Sequence, residues 1–313
     1  MDRPRLFAIG GAHIDRRGRV RGPYVAETSN PGSMREDVGG GAFNAARAAV
    51  QRGISVQIMS LRGGDPSGEK VGEAIEEAGM EDFSAVFLDR ATPSYTAILT
   101  QDGDLVAGLA DMELYDIGFP KQIRRRKVRD AIAAADAVLC DANIPVSALE
   151  RLSALADGKP LFAIAISPAK AGRLRPVLTS LSCLFMNRQE ALSLAGLSSE
   201  RSPREAAEML ASMGLRRSVI TAGGAPAICV DGGISMEVAP PPVGAVADVT
   251  GAGDALAGAC IAALMLGRPF AEAVREGMAA AKLALESETA APKMNADAFR
   301  AAVALVPQPR ELA

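Results

Sequence analysis

The order of apolar and polar positions divides the chain into two kinds of stretch. In the first, short apolar runs alternate with amphipathic segments. Residues 6–10, 54–60, 137–140, 161–166, 183–186 and 218–221 read as strands. Residues 42–51, 68–78, 121–135, 147–156, 188–195 and 203–213 read as helices. The strands are almost continuously apolar, as parallel strands covered on both faces are. Their alternation with helices predicts an α/β fold with a mostly parallel sheet between helical layers. Residues 227–238 read as an antiparallel hairpin around Asp231-Gly232-Gly233, and the C-terminal third is mostly helical.

Stretches of the second kind, 13–37 and 91–117, break this pattern. The first is polar and carries Gly and Pro, with Val20, Tyr24 and Val25 its main apolar residues. Within the second, 95–100 and 105–110 predict a hairpin around Asp102-Gly103. The two are expected to meet as a small β-lid over the carboxyl ends of the sheet strands, where ligand sites of open α/β sheets form. Such a lid would keep water from a reacting group.

Composition narrows the function. The 313 residues are 49% hydrophobic, with only 4% aromatics and no Trp. A net charge of −3 gives no broad footprint for nucleic acid. The one basic run, 121–129, reads as a solvated helix face. The cysteines at 140, 183, 229 and 260 have no paired spacing and read as buried thiols of a cytoplasmic protein. A Cys/His metal site is unexpected with His13 as the only histidine. No apolar run is long enough for a membrane span, and no secretory signal is evident.

The segment with the most chemical content is Asp248-Val-Thr250-Gly251-Ala252-Gly253-Asp254, followed by an Ala/Gly-rich run. Small residues at a helix start expose backbone N–H groups to an anion. A carboxylate beside an anion is a poor structural choice. It makes sense as the base that takes a proton from a hydroxyl attacking a phosphoryl group. The alternative is a helix cap after a Gly turn. Upstream, Gly39-Gly40-Gly41 before a helix would allow close backbone approach to a ligand, and Asn44 offers a donor and an acceptor. A turn capped by a polar residue is the other reading. Residues 63–70 nearly spell a P-loop, but Glu69 stands where Lys is needed.

The 248–254 segment resembles the C-terminal signature of the ribokinase-like (PfkB) sugar and nucleoside kinases. The order of features fits over nearly the whole chain. The resemblance implies one kinase domain, 1–313, folded as a three-layer α/β/α sandwich with a mostly parallel central sheet. Its discontinuous β-lid would be 13–37 and 91–117. It implies Asp254 as base, with the N–H groups at Gly251, Ala252 and Gly253 stabilising the transferring phosphoryl group. Asp15, Gly40, Gly41 and Asn44 would hold acceptor hydroxyls. Asn187, Thr221, Gly223 and Gly224 would lie at the nucleotide. Glu190 would support Mg2+ through water, although Asn187 to Glu190 also has capping-box spacing. Asp248, Thr250 and Ser287 would bind a monovalent cation, K+ foremost. ATP is the implied donor, and dimerisation through the lid is implied as well.

Within the family, several strings are similar to those of pseudouridine kinases: Ser29-Asn30-Pro31-Gly32, Ser94-Tyr95, Ala110-Asp111-Met112, Asp141-Ala-Asn143-Ile and 284–288. Asn30, Tyr95 and Asp111 would then meet the acceptor from the lid. Two positions depart from the pattern. Phe43 stands where those kinases commonly have Arg, which suggests a stacking or apolar base contact in place of a charged one. Ala225-Pro226 replaces the usual acidic-Gly continuation. Another sugar or nucleoside kinase, or a silent binder of such ligands, stays open as an alternative.

Overall fold

The computed structural model describes residues 3–246, 250–287 and 294–312. Among the described residues, ten strands form the main sheet. Their order is Arg310–Glu311, Ile234–Val238, Ala225–Asp231, Arg217–Ala222, Cys183–Asn187, Leu161–Ile164, Ala137–Asp141, Arg5–Ile9, Ser55–Met59 and Glu81–Asp82. Every pair from Arg217–Ala222 to Glu81–Asp82 is parallel, and the three pairs beyond it are antiparallel.

Period-two alternation sends side chains of one strand into two cores. Leu6 and Ala8 join a core under the helices Gly41–Gln51, Ala252–Met265 and Phe270–Leu285, whereas Phe7 and Ile9 face the opposite layer. The same split occurs along Cys183–Asn187, with Cys183 and Phe185 on one side and Leu184 and Met186 on the other. Both faces are dry, which is why these strands read as unbroken apolar runs.

Residues 13–39 and 94–111 build a separate four-stranded sheet in the order Gly32–Gly39, His13–Val20, Ser94–Leu99 and Leu105–Asp111. The second polar stretch is shorter than the sequence suggests. Residues 113–117 begin the helix Glu113–Gln122, whose Tyr115 is fully buried. The single helix expected over 121–135 is also corrected. Arg125 is extended, so one helix ends at Gln122 and a second runs from Arg126 to Ala134. The basic run therefore spans a helix break, and most of its charges are exposed.

The four cysteines are buried and unpaired. Among the described residues, no helix is long and apolar enough to cross a membrane.

Candidate active site

The first strand lies between Ala137–Asp141 and Ser55–Met59, so connections leave it in opposite directions and a crevice opens at its carboxyl end. Gly10 to Ala12 carry the chain from there into the lid strand that bears Asp15. A fully buried carboxylate, Asp141, fastens this corner. It accepts N–H bonds from Gly11 at 2.9 Å, Ala42 at 3.0 Å and Asn143 at 2.9 Å. The start of helix Gly41–Gln51 is thereby held against the end of the first strand.

Behind Asp15 stands a polar chain. The Tyr115 hydroxyl donates to the Ala12 carbonyl at 3.0 Å and lies 3.4 Å from His13 Nδ1. His13 Nε2 lies 3.3 Å from Asp15 Oδ1. His13 is buried between Tyr115 and Asp15. The glycine run beside it answers to the protein's own packing. A Cβ at Gly39 would sit 2.1 Å from Asp15 Oδ2, and Gly40 has φ +114 with its Cβ direction blocked 2.3 Å away by the Gly11 carbonyl. The expectation that these glycines chiefly leave room for a ligand is amended accordingly.

Across the crevice, helix Ala252–Met265 starts from Gly251 in the left-handed conformation, and no side chain caps it among the described residues. The N–H groups of such a helix start suit an anion. A Cβ at Gly253 would meet nothing within 4 Å. Here the small residue does leave space. A cavity of about 240 Å³ opens there, lined by Gly251, Gly253, Asp254, Asn187, Glu190 and Thr221, with apolar walls that include Ile166 and Phe185. Ile166 has φ +60, a costly conformation for a β-branched residue and a mark of local strain at the cavity wall.

Asp254 occupies the floor. Desolvation pushes its carboxyl up to about 7, against the lowering effect of the Asn44 hydrogen bond. The negative charges of Asp141, Glu190 and Asp15 push in the same upward direction. Asn44 Nδ2 donates to Asp254 Oδ2 at 3.0 Å, joining the two motifs across 210 residues. Such a carboxylate titrates near neutrality, where a general base is most effective.

Glu190 and Asn187 form a complete capping box. Glu190 N donates to Asn187 Oδ1 at 2.9 Å, and Asn187 N donates to Glu190 Oε2 at 2.8 Å. Burial raises the Glu190 carboxyl above its ordinary range. Among the described residues no group of three His, Cys, Asp or Glu side chains is arranged to hold an ion. The oxygen donors of the cavity suit an Mg2+ that arrives with nucleotide phosphates and keeps its waters.

The remaining residues divide. Thr221 lines the cavity, while Gly223 and Gly224 form the open turn behind it. Tyr95 pairs in register with Asp15 and shares its face of the lid, close over Gly108. Asp111 does not join them. It pairs with Ser94, on the opposite face, and is exposed. Asn30 is also taken up elsewhere. Its amide accepts from Val25 N at 2.8 Å and donates to the Val25 carbonyl at 2.7 Å, closing its own loop. Phe43 is fully buried under the Arg47 guanidinium, so it offers no surface to a base. Thr250 and Ser287 border the segments 247–249 and 288–293, and Asp248 lies outside the described residues. Sequence reasoning missed Tyr115, Arg47 and the clamping role of Asp141. The i, i+3 spacing of Asn44 and Arg47 on a helix was the one available signal.

Residues 3–297 match the model of the pfkB family carbohydrate kinases. The chain belongs to the PfkB family. It is thus a sugar or nucleoside kinase by family, a phosphotransferase, and the family implies ATP and Mg2+. The PfkB relatives include the pseudouridine kinase of Escherichia coli K12, 28% identical over 90% of this chain and 91% of that one. A carbohydrate kinase structure from Agrobacterium tumefaciens is 44% identical, with a TM-score of 0.87 over 99% of this chain and 100% of its own. The Arabidopsis thaliana ribokinase complexed with ribose and ATP superposes with a TM-score of 0.85 at 21% identity, over 97% and 99% of the two chains. That last likeness carries the fold alone.

Proposed function

We propose that this kinase transfers the γ-phosphoryl group of ATP to the 5′-hydroxyl of a ribonucleoside, with pseudouridine as the acceptor. The observation that carries the chemistry is Asp254, a desolvated carboxylate at the open N-terminus of a helix, held by Asn44 from the acceptor side. Its Oδ2 is engaged by Asn44, which leaves Oδ1 to take the hydroxyl proton. The N–H groups of Ala252 and Gly253 stabilise charge on the transferring group. Asp15, fixed by His13, and Asn44 orient the acceptor, with the lid covering it. Asn187, Thr221, Gly223 and Gly224 take the nucleotide side. Glu190 would hold Mg2+ through water, and the ion would supply neutralisation of phosphate charge. A monovalent cation, K+, would sit at Asp248, Thr250 and Ser287.

The choice of pseudouridine rests on the lid and 141–144 strings and on the E. coli relative. Of the lid residues, Tyr95 has the position to meet the acceptor, sharing the face of Asp15. Dimerisation through the lid fits Met34 and Leu109, which are exposed apolar residues on one face of that sheet. ATP turnover with pseudouridine, uridine, cytidine, adenosine, ribose and fructose 6-phosphate tests the assignment. Preference for pseudouridine is the expected result. Preference for another acceptor keeps the kinase and rejects the base assignment. Ligand binding without turnover would favour a silent binder.

A further inference from the structure

Arg47 is a cationic side chain beside Asn44 that belongs to neither motif. Arg47 lies one turn beyond Asn44 on helix Gly41–Gln51. Its Nη2 donates to Asn44 Oδ1 at 3.1 Å, and Asn44 Nδ2 in turn donates to Asp254 Oδ2 at 3.0 Å. The guanidinium stands 4.9 Å from the ring centroid of the buried Phe43. Its Nε is buried and makes no hydrogen bond. Burying a guanidinium is costly unless opposite charge compensates it. Burial does lower its ionisation, to about 10, while Asp254 and the lid residue Asp37 act in the opposite direction. At neutral pH the group therefore stays charged.

An asparagine amide has two nearly isosteric ends, and only the nitrogen end can donate to a carboxylate. A cation on the oxygen of Asn44 removes the alternative orientation, in which that oxygen would face Asp254 and repel it. The same cation offsets the negative surroundings of Asp254, which comprise Asp15, Asp141 and Glu190. A purely packing role would need only the aliphatic stem against Phe43.

We propose that Arg47 is a positioning residue for the proton-accepting carboxylate: through Asn44 it fixes which oxygen of Asp254 is engaged and which is left for the acceptor hydroxyl. This inference rests on the kinase reading above. It predicts a defect mainly in turnover, with at most a small rise in acceptor KM, because Arg47 reaches the cavity only through Asn44, which also orients the acceptor.

The test compares the unaltered chain with Arg47→Met and Arg47→Lys, using ATP, Mg2+ and pseudouridine, or ribose where pseudouridine is not turned over. Met keeps a stem on Phe43, and Lys restores the charge. Arg47→Met is expected to lower kcat by about 10- to 100-fold, with both KM values within about threefold and a near-normal thermal midpoint. Arg47→Lys should recover a large part of the lost kcat. Unchanged kcat in a folded Arg47→Met protein overturns the inference alone. So does a loss confined to KM, or a lysine variant that folds normally yet is as slow as the methionine one. If Arg47→Met does not fold, the lysine variant decides, with near-normal kcat supporting the role of charge and a methionine-like collapse of folding rejecting it. No turnover by the unaltered chain with any acceptor overturns the kinase reading itself.

Discussion

The two banks of the crevice use small residues in opposite ways. On the acceptor bank, Gly39 and Gly40 have no room to spare, since Asp15 and the Gly11 carbonyl occupy the places a Cβ would take. On the phosphoryl bank, Gly253 borders open cavity and its backbone is ordinary helix. The first bank is assembled by its own contacts: Asp141 clamps it and the Tyr115–His13–Asp15 chain stiffens it. On the second, no side chain caps the helix start among the described residues, and one desolvated carboxylate borders the cavity. A glycine-rich motif therefore does not mean the same thing twice. One set builds the wall, and the other keeps the hole.

The largest expected effect lies on the open bank. Asp254→Asn should lower turnover by about 10³-fold while acceptor binding by calorimetry survives. The same variant should be more stable. The carboxyl titrates at about 7 in the folded chain against an ordinary 3.8, so the folded state favours the protonated form. That preference costs stability as pH rises from about 4 to about 7, and the cost is complete above 7. Urea melts at pH 8 should show a gain of roughly 2–4 kcal/mol for the asparagine variant, with none below about pH 4.

Two glycine substitutions sharpen the contrast. Gly40→Ala should destabilise the fold by roughly 3 kcal/mol or more, because backbone conformation and the Gly11 carbonyl both oppose it. Gly253→Ala should leave stability unchanged or raise it by up to about 1 kcal/mol, as a helix favours Ala over Gly. Its methyl group would enter the cavity, so ATP turnover should drop even though the protein melts normally. Equal effects of the two on stability would erase the distinction between the banks. Smallest of all, Tyr115→Phe removes one buried hydroxyl. About 1 kcal/mol of stability and a modest rise in acceptor KM, with kcat nearly kept, is the expected outcome.

Much of this was legible in the chain. The alternation of apolar runs and helical segments placed the parallel sheet, and Gly251 to Asp254 marked the helix start that lines the cavity. The pairing of Asn44 with Asp254 follows only once helices Gly41–Gln51 and Ala252–Met265 lie side by side. Facing was harder to read than sequence order. Asp111 and Tyr95 both lie in the second lid segment, yet register puts them on opposite faces. Asn30 had the right composition for a ligand contact but satisfies its own loop. Phe43 points into the core, whereas Arg47, one turn further along, reaches Asn44. The break at Arg125 left no mark because no glycine or proline stands there.

The most direct test of the account is the pH dependence of kcat/KM for the acceptor, measured from roughly pH 5 to 9 with ATP and Mg2+ saturating. The account predicts a single rising limb with its midpoint near 7, since Asp254 must be deprotonated to accept the hydroxyl proton. Activity should fall about tenfold per pH unit on the acid side and level off above the midpoint. A profile flat through neutrality, in a protein that stays folded across the range, would contradict the assignment of Asp254 as the base.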